Sequence, residues 1–328
     1  MNRSFDADLP VMTRRIGRVG HVVMNRPQAL NALDLQMIRL LSGALAEFRD
    51  DPAVHAVVIE GAGGRAFCAG GDIRAVRAWA LAGDEAAIEA FFSEEYALNA
   101  AIAAYPKPVV SLIDGYCMGG GIGVSVHGTI RVATEAAQFA MPETAIALFP
   151  DVGTSYVLPR LPGQLGIYLG LTGHRLAGGD AVHAGFATHF VRREKLAGLR
   201  EAVCERGVAV IAQAAEPPLP FSLAAHQAAI DRCFGHDSMA AIIAALQAEG
   251  SAWAEETLAT LGRMSPSSLR WTLALLRAGA GRDLTQCLAA ELELVRQVTR
   301  HPDFAEGVRA MLVDKDRAPR WVAVSDPV

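Results

Sequence analysis

Two carboxylates stand eight residues apart in Met141-Pro142-Glu143-Thr-Ala-Ile-Ala-Leu-Phe149-Pro150-Asp151-Val-Gly153, each directly after a proline and among apolar neighbours. An acid in apolar surroundings has a costly charged form, so its pKa rises toward the range useful for proton transfer. The plainer role for both is to open short helices, where acids favour the first turn, and local sequence alone favours it. Glu94 and Glu95, before Tyr96, read in the same way as the solvated face of a helix. Two glycine-rich stretches complement these acids: Gly61-Ala-Gly-Gly-Arg-Ala-Phe-Cys-Ala-Gly-Gly-Asp72 and Asp114-Gly-Tyr-Cys-Met-Gly-Gly-Gly-Ile-Gly123. Glycines where a strand feeds a helix bring backbone N–H groups close to negative charge. One such loop reads as a tight turn; two in one core point to an anion or oxyanion site.

Three neighbouring motifs fail on context. Gly61-Ala-Gly-Gly-Arg-Ala66 fits a dinucleotide fingerprint, but Trp79-Ala-Leu-Ala-Gly-Asp-Glu-Ala stands where a second strand with a terminal acid is required. Gly123-Val-Ser125-Val-His127 nearly matches a nucleophile elbow, yet position 127 is not glycine and Ser125 falls inside a helix. The nine histidines show no paired-ligand spacing, so no metal is assigned. Cysteines 68, 117, 204, 233 and 287 lie far apart without a CxxC, the pattern of reduced, buried thiols.

These groups must be positioned by an α/β core. Val19–Met24, Val54–Glu60, Pro108–Ile113, Ile130–Ala133 and Gln138–Met141 are rich in strand formers. Leu35, Ile38, Leu41, Leu45 and Phe48 recur at helical spacing, with Asp34 placed to cap that helix. The prolines of the 213–221 stretch mark a linker, and from there every run is helical: 222–234, 238–248, 251–262, 266–278, 283–299 and 302–313. The expected division is a core at 1–212 and a helical C-terminal region at 213–328.

An apolar fraction of 52% over 328 residues excludes a disordered chain. A net charge of −5 without a Lys/Arg cluster argues against nucleic acid or an anionic membrane as partner. The apolar stretch Pro108–Val126 carries Asp114 and five glycines and does not suit a membrane span. The acidic opening MNRSFDADLP lacks a signal-peptide apolar stretch, and a cytoplasmic location is expected.

Asn25-Arg-Pro-Gln-Ala-Leu-Asn-Ala-Leu33, Ala66-Phe-Cys-Ala-Gly-Gly-Asp-Ile73 and Gly115-Tyr-Cys-Met-Gly-Gly-Gly121 resemble the crotonase (enoyl-CoA hydratase/isomerase) superfamily. Phe139–Gly153, Val124-Ser-Val-His-Gly128, Met264–Leu269 and Asp303–Asp316 resemble most its 3-hydroxyisobutyryl-CoA hydrolase branch. The resemblance implies a right-handed spiral of ββα turns with C-terminal helices, and an acyl-CoA thioester as substrate. No separate cofactor is implied, because CoA is part of the substrate. By motif position, the backbone N–H groups of Gly71 and Gly120 would form the oxyanion hole. Arg26, Ala29, Leu30, Ala69, Asp72 and Ile73 would contact the CoA moiety. A homo-oligomer, a trimer or a multiple of one, is a further expectation.

Hydratases of the superfamily carry one glutamate shortly after the glycine triplet and a second in a motif like Pro142-Glu143. Here the first position is Gly123, whereas Asp151 replaces a small residue and Glu95 matches a hydrolase acid. The resemblance therefore implies cleavage of 3-hydroxyisobutyryl-CoA, a step of valine catabolism. Glu143 would act as nucleophile or general base, Asp151 would pass a proton, and Glu95 would orient the substrate. Hydration or isomerisation of an enoyl-CoA with Glu143 alone, and a non-catalytic acyl-CoA-binding scaffold, are the alternatives.

Overall fold

The computed structural model describes residues 9–322. They pack as two compact units, each assembled from separate stretches of chain. Of the described residues, the first unit holds 9–71 with Glu94–Phe139 and Leu176–Phe221; the second holds Asp72–Ser93, Ala140–Arg175 and 222–322.

The first unit is built on β1 (Val11–Ile16), β2 (Val19–Met24), β3 (Ala56–Gly61), β4 (Ala66–Cys68), β5 (Val109–Ile113), β6 (Tyr116–Met118), β7 (Ile130–Ala133), β8 (Gln138–Ala140), β9 (Leu176–Ala177) and β10 (His189–Phe190). Six of them form a sheet in the order β1-β2-β3-β5-β7-β10, and the short β4, β6, β8 and β9 form a second. The first sheet is parallel from β2 to β10, with Val19 opposite Ala56 and Val57 opposite Val109; β1 returns antiparallel on β2. Parallel strands need crossover connections, and helix α1 (Leu35–Asp50) supplies the one from β2 to β3. Asp34 accepts the Met37 N–H at 2.8 Å and caps it as expected. The buried face of α1 is Met37, Ile38, Leu41, Ala44, Leu45 and Phe48, and Gly20 on β2 leaves room for the Phe48 ring. Val19, Val58, Val110, Leu112 and Val132 form a core with Leu199 and Val203 from the helix Arg193–Arg206. Each such side chain contributes roughly 1.5–3 kcal/mol on burial.

The second unit is mainly helical. Ser238, Ser251, Ser265 and Asp283 cap four of its helices with their side chains, and Pro266 stands at the first helical position after Ser265. Tyr168 gathers Phe234, Trp253 and His174 at ring distances of 5.3, 5.8 and 5.4 Å. The run expected as one helix over 222–234 is split into Ala224–His226 and Gln227–Cys233, and 302–313 changes from α to π winding at Arg309. No helix among the described residues is long and apolar enough to cross a membrane.

Candidate active site

Within the first unit, the chain between β2 and α1 lies against the end of β4. Ala69 N–H donates to Leu30 O at 3.0 Å and Leu33 N–H to Gly70 O at 2.8 Å. Leu30 and Asn31 both hold left-handed backbone, at φ 53 and 57. Asn31 makes this possible: its fully buried amide donates to Ala62 O (3.0 Å) and Ala66 O (2.9 Å) and accepts from Arg26 N–H at 2.9 Å. The Arg26 guanidinium donates to Ala32 O and pairs with Asp34 at 3.0 Å. Arg26, Ala29, Leu30 and Ala69 are thus brought together beside Gly71. Asp72 sits at the N-cap of the helix Ile73–Ala82.

Each glycine of the 119–121 triplet has its own reason. Gly119, at φ 47, turns the chain out of β6 into the short helix Gly120–Val126. A Cβ on Gly121 would lie 2.2 Å from Cys68 O, so backbone packs on backbone there. A Cβ on Gly120 would lie 2.3 Å from Glu95 Oε1, 3.2 Å from Leu33 Cδ1 and 3.3 Å from Gly71 N. The structure therefore joins Gly71, Gly120 and the Glu95 carboxylate around one small space. Among the described residues, neither glycine N–H is used in a turn, loop or cap bond.

The solvated-face expectation holds for Glu94, which pairs with Arg39 at 2.7 Å, and fails for its neighbour. Glu95 is 2% exposed. The helix Glu85–Ala103 is buried over much of its surface, and one residue along a helix turns the side chain by ~100°. Ser125, by contrast, is the packed helix serine expected: its hydroxyl donates back to Gly121 O and Ile122 O. The five cysteines are buried and free.

In the second unit, Glu143 opens the 3₁₀ turn Glu143–Ile146, the plainer role foreseen for it, yet it is only 6% exposed. Asp151 is 4% exposed and begins a tight turn. Its carbonyl accepts the Thr154 N–H at 2.8 Å and hydroxyl at 2.7 Å, with Val152 at φ 53 and Gly153 at φ 79. A β-branched residue in left-handed backbone is strained by about 1–3 kcal/mol and persists only where its surroundings over-determine it.

What over-determines it is Glu291, which motif and spacing did not single out. Glu291 lies in the helix Leu284–Val298 on the face of Cys287, Leu288, Val295 and Val298, fully buried. Its Oε2 accepts Gly153 N–H at 2.7 Å, and its Oε1 accepts Ser155 N–H at 3.1 Å and the Ser155 hydroxyl. The detectable signal was an acid inside an apolar stripe of helical period.

Burial first, then the charge of Asp151, pushes the Glu291 carboxyl up to about 8, against the lowering effect of the three donors. Unfolded, it ionises near 4.5. Between these values the native state holds a proton that the unfolded chain has released, so stability falls as pH rises through that window, by at most ~1.4 kcal/mol per pH unit. Urea unfolding at pH 5, 6.5 and 8 is expected to show this decline in the wild type and a flatter one in Glu291→Gln. Equal slopes in both proteins would show that Glu291 is not the group responsible.

A model of the family described as enoyl-CoA hydratase/isomerase matches residues 19–325. The mitochondrial 3-hydroxyisobutyryl-CoA hydrolase of Xenopus tropicalis is 48% identical over 319 residues, covering 94% of this chain and 83% of the relative. That of Homo sapiens is 45% identical over 333 residues, covering 98% and 86%. Among solved structures, a carnitinyl-CoA dehydratase from Mycobacterium thermoresistibile superimposes with a TM-score of 0.92 at 40% identity, over 96% of this chain and 92% of the other. An enoyl-CoA hydratase from Rhodobacter sphaeroides 2.4.1 gives 0.90 at 41% identity, over 95% and 92%. The hydrolase relatives overturn the cytoplasmic expectation, because they are mitochondrial proteins. Acidic net charge and reduced thiols are compatible with a mitochondrial location as well as a cytoplasmic one, so they could not separate the two.

Proposed function

The chain belongs to the enoyl-CoA hydratase/isomerase (crotonase) superfamily, whose members process CoA thioesters, and from that premise we propose that it hydrolyses a short β-hydroxyacyl-CoA, 3-hydroxyisobutyryl-CoA above all. The observation that carries the proposal is the acid set. Glu143 and Asp151 are both buried, and Gly123 occupies the position where hydratases carry a glutamate. Near-full-length likeness to hydrolases supports the same choice.

In this mechanism the thioester oxygen accepts from the N–H groups of Gly71 and Gly120. Attack on the carbonyl carbon puts negative charge on that oxygen, and fixed donors stabilise it without reorganising. Glu143 either attacks directly, giving an anhydride that water opens, or takes a proton from an attacking water. The C–S bond breaks as the tetrahedral intermediate collapses, and Asp151, protonated at the start of the step, gives its proton to the leaving thiolate. It regains one from the water that opens the anhydride or, in the other route, takes up the proton that Glu143 took from the attacking water. Glu95 accepts from the substrate hydroxyl. Arg26, Ala29, Leu30, Ala69, Asp72 and Ile73 hold the CoA moiety. The division of the chain near 212 and a homo-oligomeric assembly, a trimer or a multiple of one, belong to this proposal as well.

Enoyl-CoA hydration is the second reading, favoured by the solved dehydratase and hydratase that this chain resembles. A panel of 3-hydroxyisobutyryl-, 3-hydroxypropionyl-, 3-hydroxybutyryl- and crotonyl-CoA separates the two. The expected result is thiol release that is fastest with 3-hydroxyisobutyryl-CoA. Loss of enoyl absorbance from crotonyl-CoA without thiol release would establish the hydratase instead, and binding without turnover of any member would favour a scaffold.

A further inference from the structure

We propose that Glu291 is a positioning residue for Asp151, an inference that rests on the hydrolase reading above. A fully buried carboxyl group is costly unless its hydrogen bonds are satisfied, and the other named positions on its helix face are apolar. What Glu291 contacts explains its presence. The turn after Asp151 places Val152 and Gly153 in left-handed backbone, which leaves the N–H groups of Gly153 and Ser155 facing the interior rather than an earlier carbonyl. One carboxyl group takes both, an oxygen to each, and also bonds the Ser155 hydroxyl. The turn is closed from its other side by Thr154, whose N–H and hydroxyl donate to Asp151 O. The main chain at 151–155 is therefore clamped between its own carbonyl and a side chain 138 positions away from Gly153. Packing tightens the clamp: a Cβ on Gly279 would lie 2.0 Å from Ser155 O, so the helix Pro266–Gly279 touches the same turn backbone to backbone. Both Glu291 oxygens are occupied by these donors, so its part in the reaction is to aim Asp151 rather than to touch substrate.

The test is a double-mutant cycle read by thiol release from 3-hydroxyisobutyryl-CoA, with melting temperature measured on every protein. Glu291→Gln keeps the volume but sets an NH₂ group against one of the donors. It is expected to lower kcat about 10–100-fold with KM nearly unchanged, because a small misdirection of a reacting group is that costly. In the Asp151→Asn background the same change should alter kcat by no more than about twofold, since the group it aims is already gone. Ser155→Ala, which removes one of the three donors and leaves the carboxylate, should show a smaller fall with the same dependence on Asp151. Equal falls in both backgrounds would reduce Glu291 to a structural residue and overturn the proposal, as would wild-type kcat in a folded Glu291→Gln. Wild-type kcat in Asp151→Asn alone would instead remove the hydrolase reading on which the proposal rests.

Discussion

Glu143→Gln is expected to lower kcat by ~10²–10⁴-fold or more, the contribution typical of a group that takes or gives a proton in the transition state. Binding should survive, because main-chain and hydroxyl hydrogen bonds hold the turn around residue 143. Leu148 N–H donates to Glu143 O at 3.0 Å, and Ser265 N–H donates to Thr144 O at 3.1 Å. The Thr144 hydroxyl reaches Leu171 O, and the Ser268 hydroxyl reaches Leu148 O. Gly307 lies against Ile146 so closely that a Cβ there would come within 2.7 Å of its carbonyl carbon. Gln has nearly the same shape and enters a turn whose main chain is held by these hydrogen bonds. The checks are thiol-release kinetics and calorimetric titration with CoA. A variant turning over at the wild-type rate would remove Glu143 from the reaction.

Gly120→Ala carries the second large effect, and its contrast with Gly121→Ala is the informative part. At 120 the new methyl meets the end of a flexible side chain, Glu95 Oε1 at 2.3 Å, and crowds Gly71 N at 3.3 Å. The fold can yield there by turning Glu95 away, while the space in front of the two N–H groups is filled. The expected outcome is a folded protein whose kcat/KM is down by ~10²–10³-fold, the loss typical of removing an oxyanion donor. At 121 the methyl meets Cys68 O at 2.2 Å, an atom of the main chain that cannot rotate aside. Gly121→Ala should instead lower the melting temperature and the yield of folded protein. Melting curves beside kcat/KM separate the cases; Gly120→Ala with wild-type kcat/KM would show that the oxyanion is held elsewhere.

Much of this site was legible because its parts are local. An Asp before an amphipathic run and an acid after a proline are each signalled within a few residues, and Asp34 and Glu143 occupy the cap and the turn foreseen. Ser125 was correctly read as packing for the same reason: its hydroxyl donates to carbonyls three and four residues back on its own helix. The error at Glu95 has the opposite origin. Helix periodicity near 94 and 95 is weak, and what distinguishes the two acids is the approach of Leu33 and Gly120 from other elements.

The strands β2, β3, β5, β7 and β8, the cap of the first long helix and the family follow from the amino-acid sequence, since each rests on spacing within short windows, whereas β1 and the short β4, β6, β9 and β10 were not expected and are defined by their pairing with other strands. Tertiary structure alone decided which acids are buried and which of them support others. Glu291 meets Gly153 and Ser155 across more than a hundred residues, and its three hydrogen bonds exist only once two helices have closed on the turn after Asp151. A carboxylate becomes a structural clamp through its acceptors' directions and the exclusion of water, and both are properties of packing rather than of local sequence.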